Sequence, residues 1–147
     1  MSEIAILKNL PIRDLMIRKV VSVCISEPFS AVYEKMENHH IRHLPVVDEN
    51  GQLIGIITQR DLFRAHPPRE TEDGWVYNLD ELNRLSIKHF MTRDPVTLKP
   101  EQTLHDALDI FVRDKYGAIP VITPDKQVAG IVSHSDLLRY FLKAFSS

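Results

Sequence analysis

Two runs in the chain place a hydroxyl three residues ahead of a carboxylate: Thr58-Gln59-Arg60-Asp61 and Ser133-His134-Ser135-Asp136. Each follows a glycine and two apolar residues, Gly55-Ile56-Ile57 and Gly130-Ile131-Val132. Where a strand hands over to a helix, such a carboxylate can accept both hydroxyls of a ribose. The hydroxyl, with the exposed N–H groups of the first helical turn, can hold a phosphate. The glycine lets backbone approach closely. The same spacing is also a capping box, which serves the helix and needs no ligand. The two readings are compatible, because a hydroxyl that caps an empty helix can turn to a phosphate.

Other chemistry-bearing groups are few. His39, His40, Arg42 and His43 cluster ahead of Pro45. They suit a phosphate, or a solvated helix end where cations favour the dipole. His39 and His43 are four apart, but no cysteine or carboxylate nearby completes a tetrahedral metal set. Cys24 alternates with Val23 and Ile25 in an apolar stretch, which predicts a buried, inert thiol. No nucleophile stands with an oriented base, so no catalysis is expected. With 18 basic and 20 acidic residues the net charge is −2. Acids interleave with Arg60, Arg64, Arg69, Arg84 and Arg139, and no aromatic-basic platform emerges, which argues against nucleic-acid binding. The single cysteine excludes an intramolecular disulfide. No apolar run approaches the roughly 18–20 residues of a membrane span. The N-terminus lacks a secretory pattern. A soluble cytoplasmic protein is expected.

The elements that must position these residues come in duplicate. Residues 10–64 match residues 85–139 at a constant offset of 75 without a gap. Identical pairs include Met16/Met91, Val21/Val96, Pro45/Pro120, Gly55/Gly130, Ile56/Ile131, Asp61/Asp136 and Leu62/Leu137. The period exceeds the ~20–50 residues of solenoid repeats, so two duplicated domains are expected. Each copy opens with a short helix (10–16, 82–91) and a β-prone stretch (20–25, 95–99). A helix follows. Leu104, Ala107, Leu108 and Phe111 share one helical face, as do Phe29, Val32, Tyr33 and Met36. Two apolar runs then flank a turn, which Asn50-Gly51 signals strongly and Asp125-Lys126 more weakly. A last helix closes each copy, over 59–66 and 134–145. The expected fold class is α+β, each copy strand-helix-strand-strand-helix with a small mixed sheet. The domains are expected at 8–66 and 82–145. The linker between them, 67–81, reads as a loop from Pro67-Pro68 and Asp73-Gly74. Its Trp75, Val76 and Tyr77 can pack on a neighbour.

This order of elements, with Gly-apolar-apolar-(Thr/Ser)-x-x-Asp after the third strand, resembles the cystathionine-β-synthase-type (CBS) domain. Met16…Val21, Met91-Thr92…Val96 and His43-Leu44-Pro45-Val46-Val47-Asp48 are similar to the family's other marks. The resemblance covers about residues 10–142, in two copies. It implies a regulatory pair packed about a pseudo-twofold axis, with nucleotide clefts between the copies and frequent homodimers. It assigns Asp61 and Asp136 to ribose, and Thr58 and Ser133 to phosphate. Adenine is expected in an apolar slot read by main chain at Val21, Ser22 and Val23, and at Val96, Thr97 and Leu98. Basic residues ahead of the Leu-Pro are expected on phosphate. That pairs Arg42 and His43 with Ser133 and Asp136 in a stronger site, and Lys115 with Thr58 and Asp61 in a weaker one. The implied ligand is AMP, ADP, ATP or S-adenosylmethionine, signalling in trans to an unidentified effector protein. A dimeric interaction module with empty clefts, or a nucleic-acid-associated regulator, is the alternative.

Overall fold

The computed structural model describes residues 2–114 and 116–146. In chain order its elements are helix α1 (Glu3–Lys8), strand β1 (Val23–Cys24), α2 (Ser30–His39), β2 (His43–Val47), β3 (Leu53–Thr58), α3 (Gln59–Ala65), β4 (Arg69–Thr71), β5 (Gly74–Val76), α4 (Leu79–Leu82), β6 (Thr92–Arg93), α5 (Leu104–Asp114), β7 (Ala118–Ile122), β8 (Val128–Ser133) and α6 (His134–Phe145). Each copy runs strand, helix, strand, strand, helix, except that the first strand of copy two is reduced to one bridge between Leu98 and Val121. The leading helices are shorter than expected. Single 3₁₀ turns at Ile12–Asp14 and Ile87–His89 stand in their place.

The chain packs as two units whose limits do not follow the repeat. The middle unit is residues 21–95; the terminal unit joins the chain up to Val20 to the chain from Val96 onward. Each copy's leading segment therefore sits in the unit that holds the other copy's sheet. In the terminal unit Ile12 is fully buried among Leu98, Leu104, Phe111, Ile119 and Val132. Burying one such side chain stabilises by about 1.5–3 kcal/mol. Main chain adds to it: Ile12 N–H donates to the Gln102 carbonyl at 2.7 Å, and Ile17 and Ile131 exchange N–H···O bonds at 2.9 and 3.0 Å. In the middle unit Leu82 and Ile87 join Val23, Phe29, Val32, Leu44, Val46 and Ile57.

The middle sheet has the order β1-β2-β3-β6, with β1 parallel to β2 and the other neighbours antiparallel. The terminal unit repeats this order in reduced form. There β7 and β8 pair antiparallel, while Leu98 bridges Val121 in parallel and Ile17 bridges Ile131 antiparallel. The motif glycines make the fourth strand possible. A Cβ on Gly55 would lie 2.7 Å from Met91 Sδ and 2.9 Å from the Thr92 carbonyl oxygen. On Gly130 it would lie 2.8 Å from Met16 Cγ and 2.9 Å from the Ile17 carbonyl oxygen. The close approach expected of these glycines is thus made by protein backbone and methionine, within each unit.

Several local expectations change. The 67–81 segment is not a plain loop. β4 and β5 form a hairpin with Thr71 opposite Gly74, and α4 starts at Leu79. Gly74 permits the tight reversal with φ of 107°. Trp75 stays 67% exposed within the chain. Tyr77 does pack, with its ring centroid 4.9 Å from that of Tyr33. On α5 the buried face is Leu104, Ala107, Ile110 and Phe111, and Leu108 turns outward. The Asn50-Gly51 turn forms, with Gly51 N–H bonded to the Asp48 carbonyl and Gly51 at φ 79°. At the matching place Lys126 takes φ 65°, a left-handed conformation that costs a non-glycine residue roughly 1–2 kcal/mol.

Candidate functional site

Both hydroxyl–carboxylate pairs sit where a strand ends and a helix begins. Thr58 ends β3 and Asp61 is in the first turn of α3; Ser133 ends β8 and Asp136 is in the first turn of α6. Each is a complete capping box. Asp61 N–H donates to Thr58 Oγ1 at 3.2 Å, while Thr58 N–H and Oγ1 donate to Asp61 Oδ2 at 2.9 and 3.0 Å. Asp136 N–H donates to Ser133 Oγ at 3.1 Å, and Ser133 N–H donates to Asp136 Oδ2 at 3.0 Å. The Asp61 and Asp136 side chains are only 12% and 16% exposed. The second carboxylate oxygen faces a cation from the next turn. Arg64 Nη1 is 3.8 Å from Asp61 Oδ1, and Arg139 Nη1 is 3.1 Å from Asp136 Oδ1. These arginines are mostly exposed, so they neutralise the carboxylates without locking them.

Sequence reasoning missed a third box with the same bonds. Thr103 N–H and Oγ1 donate to Asp106 Oδ2 at 2.9 and 3.1 Å, and Asp106 N–H donates back to Thr103 Oγ1 at 3.3 Å, at the start of α5. The Thr-x-x-Asp spacing was its signal. Copy one has Pro28 and Ala31 at these positions, so the repeat comparison hid it. There Ser30 N–H is held instead by Asn83 Oδ1 at 2.8 Å.

In the middle unit, main chain brings the basic residues to the helix start. His43 is the strand partner of Thr58, and the Arg42 carbonyl accepts Gln59 N–H at 2.9 Å. Gly117 does the same for His134 at 3.1 Å in the terminal unit. Arg42 and His43 belong to the middle unit, Ser133 and Asp136 to the terminal one. Lys115 lies outside the described residues. His39 closes α2, and His40 is its left-handed cap. Among the described residues no group of three His, Cys, Asp or Glu side chains could hold a metal.

The expected base slots lie on the first strand segments. Val23 and Leu98 are fully buried, while Val21, Ser22, Val96 and Thr97 are half-buried. Cys24 is also half-buried rather than fully enclosed, with Ser26 Oγ 3.2 Å from its sulfur. A separate groove of about 440 Å³ in the middle unit is lined by Ser26, Glu27, Glu49, Asn83 and Lys88 among others. None of the expected site residues lines it. Among the described residues no helix is long and apolar enough to cross a membrane.

Comparison with known proteins fits this arrangement. The family model described as CBS domain matches residues 12–67 and 87–143. An inosine-5'-monophosphate dehydrogenase of Korarchaeum cryptofilum is 30% identical over 124 residues, which are 84% of this chain but 23% of the enzyme. The chain thus spans about a quarter of that relative. The CBS domain of a CBS domain-containing membrane protein from Sphaerobacter thermophilus is 34% identical, with a TM-score of 0.72 over 92% of this chain and 90% of that one. CBSX2 of Arabidopsis thaliana, solved in complex with AMP, shares the fold at 21% identity, with a TM-score of 0.75 over 92% of this chain and 98% of that one.

Proposed function

Because the chain belongs to the CBS domain family, as a tandem pair, we propose that it binds an adenine nucleotide or adenosyl ligand and reports it to a partner without catalysis. One observation carries this reading: the hydroxyl–carboxylate pair recurs in both copies with the same two reciprocal N–H bonds, at the same strand-to-helix junction. Asp61 and Asp136 serve the ribose. Thr58 and Ser133, with Arg42, His43 and Lys115, serve phosphate. Main chain at Val21–Val23 and at Val96–Leu98 offers the two edges at which a base can be read. The AMP complex of a protein with the same fold makes this ligand class the first to test.

The test must separate a ligand from a cap. Thermal melts are run with AMP, ADP, ATP, GTP, NAD and S-adenosylmethionine. A ligand at about a hundred times its Kd adds ~2.7 kcal/mol, a shift of roughly 5–10 °C at this size. Asp136→Ala and Asp61→Ala are then compared with Asp106→Ala. All three remove a capping carboxylate, but only Asp61→Ala or Asp136→Ala should abolish a ligand shift. Equal ligand shifts in all three variants would reduce the motif to a cap. Arg42→Ala should weaken ATP more than adenosine; equal losses would remove its phosphate role.

Signalling in trans needs a surface, and a homodimer is the first assembly proposed. Leu138, Leu142 and Phe145 form a stripe on α6 at i, i+4, i+7, each at least 69% exposed. Phe63, the repeat partner of Leu138, is also exposed on α3. Such stripes mark association surfaces. Leu142→Glu should convert a dimer to a monomer in light scattering. A wild-type monomer at tens of micromolar would overturn the dimer.

A further inference from the structure

The two first-strand edges differ in the side chain that meets the edge carbonyl. In the middle unit β1 pairs with β2 through Val23 and Cys24, with Ile25 N–H on the Val47 carbonyl. Its other edge offers the Ser22 carbonyl and Cys24 N–H. Both are taken. Lys35 Nζ donates to the Ser22 carbonyl at 2.9 Å, and Cys24 N–H donates to Glu27 Oε1 at 2.9 Å. Lys35 Nζ also sits 3.3 Å from that same Glu27 oxygen, so ammonium, carboxylate and strand edge form one half-buried cluster.

The terminal unit keeps half of this device. Lys99 N–H donates to Gln102 Oε1 at 2.8 Å, as Cys24 does to Glu27. The position matching Lys35 is Ile110, which is buried and has nothing to donate. Among the described residues no side chain donates to the Thr97 carbonyl, the counterpart of the Ser22 carbonyl.

A purine with a 6-amino group presents a donor that a free carbonyl can accept. An ammonium already on that carbonyl adds positive charge and further donors, which oppose an amino group and favour a 6-oxo purine. Resting on the nucleotide reading above, we propose that Lys35 is a specificity-determining residue that closes the Val21–Val23 edge to adenine, leaving Val96–Leu98 as the adenine-accepting edge. The pair then takes one adenine nucleotide per chain, and the duplication has produced one open and one guarded base edge.

Calorimetric titration with AMP, or ATP where AMP gives no heat, tests this on the full chain. Wild type should bind one nucleotide per chain. Lys35→Met, which keeps the apolar stem, should bind two. Lys35→Arg keeps a donor and should stay at one. Ile110→Lys should weaken the wild-type site at least tenfold. The assignment is overturned if wild type already binds two, if Lys35→Met remains at one, or if Ile110→Lys leaves the site unchanged. If neither wild type nor Lys35→Met binds any adenine nucleotide, the nucleotide reading itself fails, and this assignment with it. Circular dichroism melts of each variant show that a lost site is not a lost fold.

Discussion

The middle and terminal units carry the same hairpin, the same capped helix and the same glycine under a methionine. They part at the periphery. Lys35 faces the edge of β1 in one, and Ile110 fills the matching place in the other. Gly51 turns the first hairpin, and Lys126, at positive φ, turns the second. A capping box starts α5, while the first turn of α2 relies on Asn83 from a distant segment. The β4–β5 hairpin belongs to the middle unit, and the terminal unit has no counterpart among the described residues. Positions where backbone has no alternative stay identical or nearly so; positions where a side chain meets solvent or an open edge diverge.

The glycines should give the largest effect. Gly130→Ala and Gly55→Ala each force a Cβ against a backbone carbonyl at 2.9 Å, and overpacking of this kind costs about 1–3 kcal/mol. Gly130→Ala should cost more, because Met16 Cγ stands at 2.8 Å where Met91 Cγ stands at 3.2 Å. Urea unfolding measures both, and a reversed order would break the comparison. Next come the caps. Ser133→Ala and Thr58→Ala should each lose ~1 kcal/mol, since their bonds match. A loss confined to one of them would show that the helices are anchored differently.

Lys126→Gly should stabilise by about 0.5–1 kcal/mol, relief of the left-handed strain less the entropy of a freer unfolded chain. The reciprocal Gly51→Lys should lose a similar amount. The smallest effect is alkaline. Burial, and then the neighbouring Tyr33, push the Tyr77 phenol above its ordinary 10.0. The folded state keeps that proton while the unfolded chain releases it, so stability falls as pH rises above about 10. Tyr77→Phe should flatten that fall. An unchanged slope would remove Tyr77 as its cause.

Much of this was legible because two copies could be read against each other. The hairpins, the closing helices and both junction boxes announce themselves through Pro45/Pro120, Gly55/Gly130 and Asp61/Asp136. What the repeat cannot say is whose sheet a leading segment joins. Met16/Met91 and Gly55/Gly130 are identical pairs under either arrangement, and only three-dimensional contact distinguishes them. Features present once were hardest to read. The β4–β5 hairpin hid because its turn, Glu72-Asp73, lies one residue ahead of the Asp-Gly signal. Leu108 was misplaced because it borders the apolar face that Ile110 completes. The guarding role of Lys35 lay outside any motif, since it depends on a long side chain reaching main chain thirteen residues back.

The crossed leading segments also set a timetable. A ribosome delivers roughly 5–20 residues per second, N-terminus first. Residues 21–95 hold everything the middle unit needs, so it can close while copy two is still being made. Ile12, Met16 and Ile17 have no β8 to meet until residue 133 has emerged, a delay of roughly 5–20 seconds at those rates. The terminal unit must then close a loop that contains the whole middle unit. The leading segment is made before the middle unit yet finds its place after it, and the middle unit is, in topological terms, an insertion within its own twin.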